Sequence, residues 1–201
     1  MENKQLIISV GREFGSAGHV IAEKLAEHFG LPYYDKNFLK EVLDDKGIED
    51  SEIHQYDEKH KRLGVYRAVR GMDSSPEALI ARMQFDFLKK KAESGESFVI
   101  VGRCAESVLK EYPALVSIFV LGDKQEKIDR IMKHHNLSAK KADALRMEMD
   151  AKRKKYHNNH CEGKWGDSRN YDISINSSKL GIDETMAVLI DYIEARKRRQ
   201  G

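Results

Sequence analysis

The sequence predicts an α/β fold in which helices cover both faces of a mostly parallel sheet. Three observations favour this class. Short apolar runs rich in valine and isoleucine recur along the chain, and most are followed by a stretch with the apolar spacing of a helix. The first run ends in a glycine-rich turn that leads directly into such a helix. Because parallel strands need a crossover between them, this alternation is typical of a three-layer domain.

Composition agrees with a single globular domain. The chain has 201 residues, 40% hydrophobic and 34% charged, which suits a sizeable core beneath a charged surface. The formal net charge of +2 does not favour nucleic acid or an anionic membrane as a partner. Two cysteines, Cys104 and Cys161, form no disulfide framework and favour a reducing compartment. The apolar run at residues 6–10 is too short for a signal peptide or a membrane span, so we expect a cytoplasmic protein.

The first half of the chain opens with a strand, a turn and a helix. Residues 6–10 predict a buried strand that ends at Gly11, and the apolar spacing over residues 20–29 predicts a helix capped by Gly30. Residues 31–35 predict a short strand, and residues 37–44 a helix. Residues 47–75 are charged and poorly periodic, which indicates a partly helical lobe. Pro76 starts the next helix, which is expected to end near Gly95.

The second half repeats the alternation. Strands are predicted at residues 97–101, 115–121 and 171–176. Asp123 and Glu126 predict a capping box at the start of one helix, and Ser138 begins a long charged helix that is expected to reach about Tyr156. The last predicted helix covers residues 183–196.

The turn between the first strand and the first helix is a candidate phosphate-binding loop. Small residues let backbone N–H groups close around a phosphate, and the N-terminus of the following helix adds positive potential. The turn also lies beyond the carboxyl end of a strand, where open parallel sheets bind ligands. The candidate nucleotide-binding residues are Gly11, Arg12, Gly15, Ser16, Ala17, Gly18 and His19.

This loop departs from the Walker A sequence G-x-x-x-x-G-K-S/T. His19 takes the place of the lysine, and Val20 stands where a hydroxyl would contact magnesium. Either Arg12 or His19 could supply the missing positive charge.

Four segments, in order along the chain, resemble the cytidylate kinase-like proteins, a nucleoside monophosphate kinase branch of the P-loop NTPases. They are residues 8–18 (ISVGREFGSAG), 30–35 (GLPYYD), 101–103 (VGR) and 164–172 (KWGDSRNYD). The resemblance implies one kinase-like domain over residues 1–201, with a P-loop-type three-layer fold, an acceptor-binding lobe at about 36–75 and a lid at about 153–170. It also implies ATP as a ligand, Mg²⁺ as its cofactor and a small phosphorylated acceptor.

The resemblance further implies roles for individual residues. Arg103 matches an arginine that contacts the acceptor phosphate in cytidylate kinases, and Arg130 matches one early in a following helix. Arg146, Asp150 and Arg153 match an arginine–aspartate–arginine arrangement near the lid, in which Arg146 and Arg153 are expected to be catalytic. Asp35 and Asp150 are the expected acidic residues on the substrate side. On helix spacing alone, the last three residues also fit an exposed ladder of ion pairs.

Two departures from cytidylate kinases concern the acceptor. Lys40 and Glu41 follow Asp35 where those enzymes place tyrosine and arginine, and Val101 and Cys104 flank the Gly-Arg pair where acidic residues are usual. Lysine lacks the two-pronged geometry with which arginine binds phosphate. We therefore expect weak turnover of CMP and dCMP.

The lid segment holds two further candidates. His157, His160 and Cys161 are possible zinc ligands, but a fourth ligand at recognisable spacing is missing, so a polar basic lid is the favoured interpretation. Trp165 either stacks on a base or anchors its loop by apolar packing.

Two functions follow from these observations. The first is transfer of the γ-phosphoryl group of ATP to a nucleoside monophosphate or a similar small phosphorylated acceptor. The alternative is a nucleotide-binding or regulatory protein on the same fold that does not catalyse transfer.

Overall fold

A computed structural model describes residues 4–35 and 76–199. The lobe expected at residues 36–75, with its helix and with Lys40 and Glu41, lies outside the described residues. Five strands are described: β1 (Ile7–Arg12), β2 (Tyr33–Tyr34), β3 (Phe98–Val101), β4 (Leu115–Leu121) and β5 (Ile173–Asn176). Six α-helices accompany them in this part of the chain: α1 (Gly18–Phe29), α2 (Pro76–Glu93), α3 (Ala105–Val108), α4 (Lys124–His135), α5 (Ala139–His160) and α6 (Ser177–Arg199).

The strands form one parallel sheet in the order β2-β3-β1-β4-β5. β1 lies at the centre, where its register pairs Val10 with Val101 of β3 and with Ile118 of β4. Its apolar side chains are fully enclosed because helices cover both faces, which explains why Ile7, Ile8 and Val10 place apolar side chains on both faces of the sheet. The predicted α/β class is therefore confirmed.

Two apolar cores lie on opposite faces of the sheet. On one face, residues of α1 and α6 pack on β1, β3 and β4, with Leu25 and Leu189 fully buried. On the other face, Leu88 of α2 and Leu109, which directly follows α3, belong to a core around Phe98. A third, small cluster joins α4 and α5 to Phe14 of the glycine loop. This last cluster brings the two charged helices against the loop.

Several elements differ in detail from the sequence-based prediction. α5 runs to His160, four residues beyond the predicted end, and the short helix α3 was not predicted. The predicted capping box of α4 is wrong, since the Asp123 carboxylate makes no cap hydrogen bond and instead accepts from Asn176 Nδ2 at 2.8 Å and Lys179 Nζ at 2.5 Å. The last helix begins earlier, at Ser177, and is broken at Gly181.

The segment predicted as the lid, residues 153–170, comprises the end of α5, a connecting stretch and a 3₁₀ turn (Ser168–Asn170). Among the described residues, no helix is both long and apolar enough to cross a membrane.

Candidate functional site

The glycine loop joins β1 to α1 at the carboxyl edge of the central strand. Gly15 has a φ of +83° and Ala17 a φ of 62°, and these left-handed residues turn the chain sharply into the helix. The first N–H groups of a helix have no intrahelical acceptor, so the start of α1 presents donors at this edge. The arrangement can hold a phosphate, as helix N-termini commonly do.

Contacts from the rest of the protein hold the loop in shape. The Phe14 N–H donates to Asp150 Oδ1 at 2.7 Å, and Arg130 Nη1 donates to the Gly15 carbonyl. Ser16 is fully buried; its hydroxyl donates to the Glu13 carbonyl at 2.9 Å and accepts from the Gly18 N–H at 3.3 Å. The loop is thus preorganised by side chains of α4 and α5.

A nearly buried ion pair fastens the loop to the end of β4. The Glu13 carboxylate accepts from Lys127 Nζ at 2.7 Å and from the Gly122 N–H at 3.1 Å. Only 6% of the Lys127 side chain is exposed, against 26% of the Glu13 side chain. Neither residue was singled out from the sequence, because nothing local links positions 114 residues apart.

His19, which takes the place of the usual lysine, is engaged at the rim of the site. Its Nδ1 lies 2.9 Å from the Tyr33 hydroxyl, and its Nε2 lies 3.2 Å from Glu23 Oε1, with half of the side chain exposed. Val20, in the place of the hydroxyl, is 39% exposed. Arg12 is the better placed of the two candidate cations because its guanidinium points inward, against Gly102.

A cavity of about 720 Å³ extends from the loop to the ends of β2 and β3 and to one side of α4 and α5. Four arginines line it, Arg12, Arg103, Arg130 and Arg153, and of these Arg130 is engaged with the Gly15 carbonyl. Burial, together with the nearby charges of Arg153 and Arg103, lowers the pKa of Arg12. Arg12 Nε is buried and has no hydrogen-bond partner among the described residues. An anion with several oxygens would relieve this repulsion and supply the missing acceptor.

Arg103 and Arg153 are each oriented by an aromatic ring. Arg153 lies 5.3 Å from the centre of the Phe14 ring, and its Nη1 donates to the Arg12 carbonyl at 3.2 Å. Arg103 lies 5.3 Å from the centre of the Tyr156 ring. Cation–π contacts of this kind hold a guanidinium in place without occupying its donors. A guanidinium group has five N–H donors, so both arginines keep further donors that can bind phosphate oxygens.

An unusual turn presents Arg103 to the cavity. Gly102, Arg103 and Cys104 are consecutive left-handed residues, with φ values of 74°, 59° and 55°. Left-handed residues other than glycine cost on the order of 1–3 kcal/mol each and cluster at functional sites. A Cβ at Gly102 would overlap Arg12 Nη1, so the absence of a side chain there makes room for the Arg12 guanidinium.

Most of the predicted site residues line this one cavity: Gly11, Arg12, Gly15, Ala17, Gly18, His19, Asp35, Arg103, Arg130 and Arg153. Ser16, Arg146 and Asp150 do not line it. Ser16 lies beneath the loop, and Asp150 faces the Phe14 N–H. Arg146 donates to Asp143 Oδ1 from Nε at 2.9 Å and from Nη2 at 2.7 Å, and it lies 3.9 Å from Asp150.

The other sequence candidates are placed as follows. Trp165 lines the cavity and packs edge-on against Phe119 at 5.6 Å, so its ring is anchored while one side stays accessible.

A magnesium ion held with a nucleotide takes most of its ligands from phosphate and water and one or two from carboxylates. Asp35 fits that role because it lines the cavity at the end of β2, whereas Asp150 is engaged with Phe14.

Comparisons with known proteins agree with this fold. Residues 7–179 match the model of the cytidylate kinase-like family. A cytidylate kinase from Pyrococcus horikoshii is 24% identical over 198 residues, which is 96% of this chain and 93% of that protein. A crystal structure of an uncharacterized protein from Eubacterium ventriosum is 42% identical, with a TM-score of 0.76 over 94% of this chain and 99% of the other. Shikimate kinase from Bacteroides thetaiotaomicron shares the fold at 11% identity, with a TM-score of 0.53 over 94% of this chain and 98% of its own.

Proposed function

Since the chain belongs to the cytidylate kinase-like family, we propose that it transfers the γ-phosphoryl group of ATP to a nucleoside monophosphate or to a similar small phosphorylated acceptor. The observation that carries the proposal is the convergence of Arg12, Arg103 and Arg153 on the cavity that the glycine loop also lines. Three inward cations around a helix N-terminus match a substrate pair that carries several phosphates.

The donor phosphates would rest on the loop. Backbone N–H groups at the start of α1 would bind the phosphate oxygens, and Arg12 would supply the charge that a Walker lysine usually supplies. Magnesium, with Asp35 as its one protein carboxylate, would neutralise part of the phosphate charge. Tight fixation by Asp150 and Arg130 means that the loop needs little rearrangement to bind.

The acceptor would enter from the side of β3. Arg103 would bind its phosphate with both prongs, and Arg153 would stabilise the charge that develops on the transferred group. An acceptor oxygen would form the new bond to the γ-phosphorus as the bond to the β,γ-bridging oxygen breaks, leaving ADP. Catalysis of this kind depends on positioning and charge stabilisation rather than on covalent intermediates.

The second candidate, nucleotide binding without transfer, is favoured by His19 and Val20. Tyr33 and Glu23 engage His19 at the rim, and Val20 offers no magnesium ligand. A coupled assay of ADP release, with ATP, Mg²⁺ and a panel of nucleoside monophosphates, separates the two functions. Acceptor-dependent ADP release supports transfer; ATP binding without release for any acceptor supports the second candidate.

The same panel tests the acceptor. From Lys40 and Glu41 we expect CMP and dCMP to be poor substrates, well below the best member of the panel. A kcat/KM for CMP above about 10⁴ M⁻¹s⁻¹, the lower end of the usual range for enzymes, would contradict this expectation.

Substitution of Gly102 by alanine should weaken ATP binding at least about tenfold, because the new Cβ would displace the Arg12 guanidinium and a hydrogen bond to a charged group is worth about 1.5–3 kcal/mol. Calorimetric titration with a non-hydrolysable ATP analogue measures the effect. Gly95→Ala is the matched control: its φ of +79° imposes the same backbone cost, but an added Cβ meets no atom within 4 Å. Equal affinities for the two variants would exclude Arg12 from phosphate binding.

A further inference from the structure

Four side chains with metal-binding chemistry meet where the end of α5 faces the turn after β3. Cys104 and Glu106 lie at the start of α3, and His157 and Cys161 lie one helical turn apart at the end of α5. Ligand atoms of Glu106, His157 and Cys161 lie within 4.8 Å of one another. The Cys104 and Cys161 thiols are neighbours that interact electrostatically. Cys104 and Glu106, which come from a distant segment of the chain, thus provide the further candidate ligands that the sequence around Cys161 lacks.

The cluster is enclosed, and its polar groups are incompletely paired. Cys104 is 3% exposed, and Glu106 and His157 are each 5% exposed. His157 Nε2 lies 2.7 Å from Glu106 Oε1, whereas Nδ1 is buried with no hydrogen-bond partner among the described residues. A buried polar nitrogen without a partner is unfavourable, so a simple structural ion pair leaves part of this arrangement unexplained.

We propose that Cys104, Glu106, His157 and Cys161 form a tetrahedral site for Zn²⁺. Two thiolates, an imidazole and a carboxylate are all established zinc ligands, and four protein ligands are the rule in structural sites. With Zn–S near 2.3 Å and Zn–N and Zn–O near 2.0–2.2 Å, neighbouring ligand atoms in a tetrahedron are separated by roughly 3.3–3.8 Å. The separations among the ligand atoms of Glu106, His157 and Cys161 allow this after small side-chain shifts, and Cys104 would complete the set from its position beside Cys161.

Charge and access are compatible with such an ion. Two thiolates and a carboxylate carry three negative charges, and Zn²⁺ offsets two of them. The Arg103 guanidinium, which acts electrostatically on the Cys104 thiol, compensates the remainder. Cys104, Glu106 and His157 also line the cavity, which provides a path for the ion to enter.

The position of the site indicates a structural role beside the reaction. Zinc would tie the left-handed Gly102–Arg103–Cys104 turn to the helix that carries Arg153, and so fix two cavity arginines relative to each other. With all four coordination positions filled by protein, the ion has no open position for water or substrate. It is therefore distinct from the magnesium that accompanies a nucleotide, and its binding does not depend on the proposed phosphoryl transfer.

Metal binding by the purified, reduced, full-length chain tests the site. After chelator treatment, native mass spectrometry with added Zn²⁺ should find one ion per chain, and the melting temperature should rise with zinc concentration. Substitution by Co²⁺ should give the intense visible bands of tetrahedral cobalt and a thiolate charge-transfer band. Competition with a chromophoric chelator measures the affinity.

Variants assign the ligands. Cys161→Ser, at the most accessible ligand, should lower zinc affinity by more than the roughly 10–100-fold typical of losing an outer-shell partner. His160→Gln is the matched control: His160 precedes Cys161, but its ring packs against Phe85 and Tyr156, and the variant should keep wild-type affinity.

Three results would overturn the proposal. The first is an absence of stoichiometric zinc in the reduced protein. The second is equal zinc affinity in Cys161→Ser and wild type. The third is an octahedral cobalt spectrum without thiolate charge transfer. A Cys104–Cys161 disulfide in a chain that binds no zinc when reduced would mark the cysteines as a redox pair instead.

Discussion

Replacing Arg153 by alanine should lower kcat by on the order of 10³-fold or more, the range found when an arginine that stabilises a transferring phosphoryl group is removed. Arg153 lines the cavity, is held by the Arg12 carbonyl and the Phe14 ring, and is close to the Arg12 guanidinium. Its own contacts are modest: a 3.2 Å hydrogen bond to the Arg12 carbonyl, a cation–π contact of about 0.5–1 kcal/mol and a 3.9 Å approach to Asp150. The melting temperature should therefore fall by only about 2–4 °C.

Two neighbours on the same helix sharpen this prediction. Lys154 is exposed and does not line the cavity, so Lys154→Ala should keep wild-type kcat. Arg146, the other arginine expected to be catalytic, is held by Asp143 away from the cavity lining, so Arg146→Ala should reduce kcat much less than Arg153→Ala. Steady-state kinetics with the best acceptor of the panel measures all three. A large loss for Arg146→Ala with a small one for Arg153→Ala would reverse their assignment.

The fold was predictable because its signals are local. The strands around Val10, Val99 and Ile118 are mostly apolar on both faces, and a run of that kind between helical patterns fits few environments other than the centre of a parallel sheet. The glycine loop was predictable for the same reason, since a small-residue turn between a strand and a helix is contained in eight consecutive positions. Membership of the cytidylate kinase-like family, expected from four short segments, is also confirmed.

The functional geometry of α5 was not predictable from its sequence. Helical spacing places Arg146, Asp150 and Arg153 near one face, but it does not say which of them meets the cavity. Few residues of this helix are buried, so apolar periodicity does not fix its rotation. Its orientation depends instead on packing against α4, which precedes it in the chain, and against Phe14, which is more than 100 residues away.

The cluster around His157 was likewise not predictable from the sequence alone. Sequence spacing suggested His157, His160 and Cys161 together, whereas the helix turns His160 towards Phe85 and Tyr156. The partners of His157 and Cys161 come from Glu106 and Cys104, more than 50 residues earlier in the chain. A short helix after three left-handed residues positions them, and no composition signal marks that turn.

Glu13→Ala should destabilise the fold by about 3 kcal/mol, because it leaves the ammonium group of Lys127 nearly buried without its carboxylate partner. The change also removes the acceptor of the Gly122 N–H, which holds the loop to the end of β4. Chemical denaturation monitored by circular dichroism gives the free energy of unfolding. Loss of nucleotide affinity should accompany the loss of stability, because Glu13 fastens the loop that is proposed to bind phosphate.

Lys127→Met should lower the free energy of unfolding by less than Glu13→Ala does. The difference between the two variants is a sharper test than either value alone. Lys127→Met keeps a long apolar stem in the buried position, and the Glu13 carboxylate, 26% exposed, keeps the Gly122 N–H and contact with water. The double variant should recover much of the stability lost in Glu13→Ala, since no unpaired buried charge remains. Glu148→Ala, which breaks the exposed pair with Lys152, is the matched control and should change stability by only about 0–1 kcal/mol. If Glu13→Ala and Glu148→Ala lower the free energy of unfolding by the same amount, the Lys127 ammonium group is hydrated when its partner is removed. The loop is then held by Asp150 and Arg130 rather than by this ion pair.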